Sequence, residues 1–406
     1  MEQYTGILGI IVLLSISFLL SNNRSLVDKN IIFWGLGLQF SFAFIILKTS
    51  FGEKLFFYFN IFIVKLISFA DAGSDFLFTS FIPEVGYDKA LLNFAFRALP
   101  VIIFFSSLIA VTYHLGIIQF VIKNISLLME KTMKTSGAET LSISANIFVG
   151  QTEAPILIRP YISLMTKSEL MAVMVGGFAT VAGSVMALYV TWLNNIPDIA
   201  GHLLAASVMS APAALMVAKI IYPETDSLKT INSNKINLKS NDNNIVDAVG
   251  RGATEGLKLA ANVAAMLIAF ISMVAMINFV LGLLGTSMQE ILGLLFKPLA
   301  WTMGIPWKDA EIVGTLMGEK IVLTELIAFR DLSDYVTKNI LSERSIIITS
   351  YALCGFANFG SIGIQLGGIG SMAPERKKDL SRIVFKAMLG GAIASWLTAS
   401  IVGIII

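Results

Sequence analysis

Two glutamates carry the chemistry that this chain offers. Glu153 lies in Gly150-Gln151-Thr152-Glu153-Ala154-Pro155, and Glu325 ends the stretch Gly318-Glu319-Lys320 through Thr324-Glu325. Their surroundings, 142–165 and 309–332, are too apolar for loops and too polar for ordinary membrane spans. A carboxylate at the centre of a bilayer costs about 2.5–3.5 kcal/mol on insertion scales. It persists there protonated, paired with a base, or holding a ligand. Arg159, Lys320 and Arg330 are the bases that would make the purely structural pairs. Gln151, Thr152, Asn358 and Ser361 are neutral hydrogen-bonding groups that can simply bridge helices. Taken with two carboxylates they suit a polyhydroxylated, hydrogen-bonding ligand. Phe356 offers a flat apolar face that suits a ring or ordinary packing. Asn146 stands one helical turn before Gly150. Carbonyls freed at a helix break, with a side-chain oxygen, make a hard-cation site; a helix cap is the competing role for Asn146. Thr180 can supply another oxygen.

Such groups need elements that hold them at depth. The 406 residues are 56% hydrophobic and 14% charged, with a mean hydropathy of +0.79. An ordinary soluble domain carries about 25% charged residues. A soluble enzyme, a disordered chain and a nucleic-acid binder are thereby excluded. The formal net charge is +2, and one cysteine with two distant histidines leaves no disulfide framework or metal cluster. The chain is predicted to be an all-α polytopic membrane protein, because continuous apolar runs rule out the alternating strands of a barrel.

A spanning helix needs about 20 mostly apolar residues. Eight stretches qualify: Tyr4–Asn22, Ile31–Leu47, Leu99–Ile122, Met171–Pro197, Leu203–Tyr222, Leu257–Gly285, Ser345–Met372 and Ile383–Ile406. Phe51–Phe69 mixes Lys54 and Lys65 with aromatic residues and reads as an interfacial helix. Pro223–Asp247 is Asn/Ser/Lys-rich and reads as a cytoplasmic linker. Lys123, Lys131 and Lys134 follow the third span. Lys229, Lys235, Lys239 and Arg251 lie between the fifth and sixth, and Arg376, Lys377, Lys378 and Arg382 precede the eighth. The positive-inside rule then places the N-terminus outside. Arg330, Lys338 and Arg344 fall on the outer side and depart from the rule. Met1–Gly6 has no basic residue and no cleavage site follows, so the first span is not a cleavable signal.

The polar segments 142–165 and 309–332 are each long enough for two half-helices and a turn. Each is followed by a charge-free span interrupted by glycine, Gly176–Ser184 and then Gly355–Gly363, and both interruptions contain Gly-Phe-Ala. Each is followed by one more span. Hairpin, broken helix, helix thus occurs twice in opposite orientation. An inverted repeat with broken helices marks a secondary transporter whose site lies at the midplane. The expected organisation is 1–135, scaffold helices with the interfacial helix; 136–222, first repeat; 223–250, cytoplasmic linker; 251–306, scaffold helix and connection; 307–406, second repeat. No Walker motif is present: in Gly314–Lys320 a glutamate precedes the lysine and no Ser/Thr follows it. No catalytic triad appears, so the chain is not expected to be an enzyme. A channel that merely equilibrates its solute is the rival from another class.

At these residues the chain resembles the concentrative nucleoside transporters. The strings that carry the likeness are Gly150–Pro155, Gly177–Ser184, Leu259-Ala260-Ala261-Asn262-Val263, Gly318–Glu325 and Ala352–Asn358, over a stretch from about Leu99 to the C-terminus. The resemblance implies a homotrimer with a moving transport domain, sodium as coupling ion and no other cofactor. It implies that Gln151, Thr152 and Glu153 meet the nucleobase, that Glu325, Asn358 and Ser361 hold the ribose hydroxyls, and that Phe356 and Leu259 line the base. The sodium set would be the Asn146 side chain, the Val149 carbonyl, Thr180 and the Val181 carbonyl. Thr180 stands where other members have serine, and both keep a hydroxyl. An asparagine at 146 favours sodium over protons, the alternative being a proton-coupled symporter of the same fold. The expected setting is the cytoplasmic (inner) membrane, with a uridine-like nucleoside as partner. The absence of long terminal extensions suggests a bacterial member.

Overall fold

The computed structural model describes residues 2–79, 94–226, 230, 236, 240 and 242–406. Lys229, Lys235 and Lys239 lie outside the described residues, as does part of the predicted linker. Among the described residues all regular structure is helical. The N-terminal helices are α1 (Glu2–Leu19), α2 (Lys29–Lys48), α3 (Ser50–Phe78), α4 (Leu99–His114) and α5 (Ile117–Met133). The first polar segment forms α6 (Gly137–Ala145), a 3-10 turn at Ala154–Ile158 and α7 (Arg159–Ile162). Then come α8 (Lys167–Ala179), α9 (Gly183–Trp192) and α10 (Ile199–Ile221). Next are α11 (Ile245–Gly282) and α12 (Met288–Thr302). The second polar segment is α13 (Ala310–Val322) and α14 (Glu325–Thr337), followed by α15 (Glu343–Leu353), α16 (Phe359–Met372) and α17 (Lys377–Ile405).

Among the described residues seven helical stretches are long and apolar enough to cross a membrane, by length and composition: 29–48, 50–78, 95–114, 167–192, 199–221, 245–282 and 374–405. Tyr4–Leu19 is shorter and also apolar. One expectation shifts. The run Leu99–Ile122 is two helices, because Gly116 adopts φ +81° and turns the chain after His114; such a φ is open to glycine at little cost. Ile117–Ile122 belongs to the following amphipathic helix. Phe51–Phe69, expected to lie at the interface, belongs to one helix of 29 residues, Ser50–Phe78. Ser345–Met372, expected to be broken by glycine, forms two helices that meet at residues 354–358.

The arms of the two hairpins start differently. Ser136 accepts from the Glu139 N–H while Glu139 accepts from the Ser136 N–H, a reciprocal cap that fixes the start of α6. Thr166 and Glu169 repeat that cap at α8. Between these starts Lys219 of α10 reaches Glu139 at 2.8 Å and Ser168 at 3.0 Å. In the second repeat Asp309 accepts from the Ser342 and Ser345 hydroxyls, at 2.7 and 2.6 Å. Hairpin 2 is thereby pinned to the start of its broken helix, as hairpin 1 is to its own through Lys219.

The core is built on α8, α10 and α17, whose side chains are buried nearly all round. α1 and α2 pack on α17 and α10, while α11 packs on α4. Ala248, Gly252, Gly256 and Ala260 recur every four residues on the face of α11 that meets α4. A Cβ on Gly252 would lie 2.6 Å from the Ser107 Cα, so the two backbones touch.

Candidate functional site

Both broken helices stop at the same place. The first is interrupted at residues 180–182 and the second at 354–358. Gly355 has φ +122°, and a Cβ there would sit 2.7 Å from the Phe178 carbonyl oxygen and 2.8 Å from that of Ala179. The two breaks therefore press against each other backbone to backbone. Lys320 of α13, fully buried, donates to the carbonyls of Ala352 at 2.9 Å and Cys354 at 3.2 Å, and to the Ser395 hydroxyl at 2.7 Å. Its ammonium satisfies carbonyls at the end of α15 that the break leaves open and opposes the negative end of that half-helix.

Around the breaks the polar groups form one chain. Tyr189 of α9 donates to Glu325 Oε1 at 3.0 Å, and Asn358 Nδ2 donates to Glu325 Oε2 at 2.8 Å. The Asn358 Oδ1 caps α16 by accepting from the Ser361 N–H at 2.8 Å. Gln151 Nε2 donates to the Ser361 hydroxyl at 3.2 Å, and Gln365 Nε2 donates to Gln151 Oε1 at 3.1 Å. Glu325 sits in the first turn of α14, where Thr324 caps the helix and the N-terminal dipole favours an anion. Both hairpins and both broken helices thus contribute to a single buried network. Glu325 makes no ion pair among the described residues, so the structural alternative of pairing with Lys320 or Arg330 is not what holds it.

The remaining expected residues are placed around this chain. Thr152 packs against α16, where a Cβ on Gly368 would lie 2.7 Å from its methyl group. Glu153 is exposed, accepts from the Gly150 N–H at 3.1 Å and makes no pair with Arg159. The charges nearest to it are Arg251 and Glu255 of α11. Phe356 is half-buried in the second break. Leu259 is half-buried on α11 and packs into the main core.

Asn146, Val149, Thr180 and Val181 are all buried. The loop of hairpin 1 docks on the first break, where the Gly183 N–H donates to the Phe148 carbonyl at 3.0 Å. The Asn146 amide nitrogen donates to the Ser142 carbonyl at 3.1 Å, but its oxygen is buried with no hydrogen-bond partner. A buried acceptor without a donor is costly unless a cation or water fills its place. Thr180 gives its proton to the Gly176 carbonyl at 3.0 Å, which leaves its oxygen lone pairs free. These donors are hard oxygens, the kind that hold an alkali or alkaline-earth ion.

Tyr189, Gln365 and Lys320 belong to the site although nothing in the sequence marked the first two, and Lys320 was marked only as a partner for Glu325. The available signal was a hydrogen-bonding side chain inside a charge-free span. Tyr189 is aimed by stacking on Phe329, with ring centroids 4.3 Å apart.

Comparison with known proteins decides the family. Three family models match: "Na+ dependent nucleoside transporter N-terminus" over residues 8–81, "Nucleoside recognition" over 95–195, and "Na+ dependent nucleoside transporter C-terminus" over 202–403. The uncharacterized transporter YutK of Bacillus subtilis is 41% identical over 414 residues, covering all of both chains. The chain belongs to the Na+-dependent nucleoside transporter family. The likeness therefore includes the first two helices, where the sequence motifs carried no signal. Rat sodium/nucleoside cotransporter 1 is 41% identical over 428 residues, and this chain spans 64% of its length. The structure of CNTnw in an inward-facing substrate-bound state superposes with a TM-score of 0.91 at 40% identity, over 98% of each chain. A variant of CNTnw in an outward-facing state gives 0.90 at 39% identity, over 100% of this chain and 98% of that one. The family fold is thus populated in opposite-facing states. Family membership also makes this a transport fold rather than an enzyme.

Proposed function

We propose that this chain is a sodium-coupled symporter that imports nucleosides across the cytoplasmic membrane by alternating access. The observation that carries this is the single network from Gln365 through Gln151, Ser361, Asn358 and Glu325 to Tyr189, together with the unsatisfied Asn146 oxygen in the same hairpin as Gln151. A carboxylate and an amide with lone pairs and donors to spare are bidentate partners for vicinal hydroxyls. Glu325, Asn358 and Ser361 hold the ribose. Gln151, Thr152 and Glu153 read the base, with Phe356 against its face and Leu259 at the margin. Asn146, the Val149 carbonyl, Thr180 and the Val181 carbonyl take the sodium ion, which travels as cargo.

Coupling follows from shared parts. An ion shifts an equilibrium only by its differential affinity for the two states. Hairpin 1 carries Asn146 and Val149 at one end of its loop and Gln151–Glu153 at the other, so filling the ion site orders the arm that meets the base. One cation also gains ~2.3 kcal/mol per 100 mV on crossing the membrane field.

Eight helices span the bilayer in this proposal, α8 with α9 and α15 with α16 each counting as one, with two re-entrant hairpins and the N-terminus outside. α3 lies against α4 and α10 and supports the frame. The frame is α4 with α11. The sequence groups residues 1–135 with the frame; the packing of α1 and α2 on α17 and α10 supports counting those two helices with the moving body. Three copies associate through α11, whose outer face exposes Ile268, Met273, Met276 and Phe279. A large exposed apolar face suits lipid or a second copy.

The test is uptake of radiolabelled uridine into proteoliposomes with an inward sodium gradient, and again without sodium at several pH values. Accumulation against a gradient only with sodium is expected. Equal accumulation in sodium-free buffer driven by a proton gradient would transfer the reading to the proton-coupled alternative, and mere equilibration would make it a facilitator.

A further inference from the structure

Hairpin 2 buries a second carboxylate that the nucleoside site does not use. Glu319 of α13 is 2% exposed, and its Oε2 has no hydrogen-bond partner. Lys320, next in sequence, points the other way, into the carbonyls of α15 and the hydroxyl of α17. The groups that face Glu319 are Gln289 of α12 and Asp331 and Tyr335 of α14, none of them a cation. The cation that α12 does offer, Lys297, is held by Glu311 at 2.7 Å and lies over the Trp307 ring. A buried carboxylate with no cation beside it and no donor on one of its oxygens is not tolerated as an anion.

We propose that Glu319 is a proton-binding site, and that its proton must be in place for hairpin 2 to move. The donor set selects a proton over a metal ion. A hard cation takes about six oxygens. The neighbouring oxygens are already engaged: Gln289 Oε1 accepts from Asn278 Nδ2 at 2.9 Å, and the Thr315 hydroxyl donates to the Gln289 carbonyl at 3.2 Å. One lone carboxylate oxygen is enough for a proton.

The placement gives the proton a consequence. Asn278 belongs to α11, and it also accepts from the Met288 N–H at 2.8 Å, so it anchors the start of α12. The order Asn278, Gln289, Glu319 therefore runs from the frame to the moving hairpin. This step rests on the division into frame and moving body proposed above. When hairpin 2 travels past α11 with α12 packed on it, the Asn278–Gln289 bond parts and Glu319 crosses the apolar patch formed by Leu267, Phe270, Val274 and Leu281. A neutral carboxyl makes that crossing at low cost, and a carboxylate does not.

The experiment is sodium-driven uridine uptake into proteoliposomes as a function of pH, for the intact chain and for Glu319→Gln. The protonated fraction falls about tenfold for each pH unit above the midpoint. Uptake by the wild-type protein should therefore collapse on the alkaline side, while Glu319→Gln, neutral throughout, keeps a flat profile there. Asp331→Asn, which removes the negative neighbour that favours the proton, should shift the alkaline limb to lower pH. Infrared difference spectra of the purified protein should show a protonated carboxyl band that Glu319→Gln lacks. Superimposed pH profiles for wild type and Glu319→Gln, or no such band at neutral pH, would overturn the proposal. If the wild type transports no nucleoside at all, the function fails, and the infrared band still decides the proton.

Discussion

Replacing Glu325 by glutamine isolates the charge of the ribose site from its shape. In the structure one oxygen of Glu325 accepts from Tyr189 at 3.0 Å and the other from Asn358 at 2.8 Å. A carboxylate has about four acceptor positions, so each oxygen keeps one for a ligand hydroxyl. Glutamine retains one oxygen, which Asn358 can still use. Its new NH2 faces Tyr189, whose hydroxyl can turn and accept. The framework thus loses only about 1 kcal/mol. The ligand loses more. Two charge-assisted bonds, worth about 1.5–3 kcal/mol each, become one neutral bond of about 0.5–1.5 kcal/mol and a donor without a ready acceptor. The net loss is about 2–4 kcal/mol, or roughly 30- to 700-fold in affinity at 1.4 kcal/mol per decade. Isothermal titration of uridine into detergent-solubilised protein at saturating sodium measures it, with thermal unfolding as the control for folding. A second titration with 2′,3′-dideoxyuridine closes a double-mutant cycle. The variant should bind uridine and its dideoxy analogue nearly alike, whereas the wild type separates them. Less than a threefold change in uridine affinity at an unchanged unfolding temperature would refute the assignment of Glu325 to the ribose.

Other substitutions probe the surrounding parts. Asn146→Leu removes the unsatisfied buried oxygen, so sodium should no longer tighten uridine binding, while weak sodium-independent binding persists in the same titration. Tyr189→Phe keeps the stack on Phe329 but leaves Glu325 Oε1 without its donor; a loss of about 1–3 kcal/mol in uridine binding is expected with little change in expression. Gly355→Ala forces a Cβ to within 2.7 Å of the Phe178 carbonyl at φ +122°. It should cost about 1–3 kcal/mol in backbone strain alone, lowering thermal stability and weakening sodium and uridine binding together. Lys320→Met strands two buried carbonyls at about 1–3 kcal/mol each; the readout is a lower unfolding temperature that added uridine only partly restores.

The class of fold was legible because lipid permits few solutions. Charge-free runs announced helices, and the paired Gly-Phe-Ala strings announced two broken ones. What periodicity does not reveal is where a helix stops for reasons other than composition. Leu99–Ile122 is uniformly apolar, and only the left-handed Gly116 divides it. Phe51–Phe69 reads as interfacial because two lysines interrupt it, and its neighbours extend it into one helix of 29 residues. Within the site, Glu325, Asn358, Gln151 and Ser361 stood out as polar groups where polar groups are expensive. Tyr189 and Gln365 did not, since an aromatic ring and a single amide read as packing until their partners 136 and 214 residues away are in view. Glu153 was legible as a depth carboxylate, but its exposure and its outlook toward α11 come only from the folded arrangement.

The length of α11 has a mechanical corollary. At 1.5 Å per residue its 38 residues reach about 57 Å, nearly twice a hydrocarbon core of ~30 Å. Its charges, Asp247, Arg251, Glu255 and Lys258, all fall in the first fourteen residues. The 24 uncharged residues that follow cover ~36 Å, long enough to cross the core with some tilt. The charged first fourteen residues add about 20 Å beyond that run, a mast at its start. Arg251 on that mast clasps Asp242 through two bonds of 2.7 and 2.8 Å, and those bonds hold the aspartate down at about pKa 2. The clasp therefore stays charged at any working pH. At the other end of the segment that joins α10 to α11, Glu224 accepts from the Thr166 hydroxyl at 2.8 Å and lies 3.5 Å from Lys219, so the chain is fastened to the helices on both sides of it.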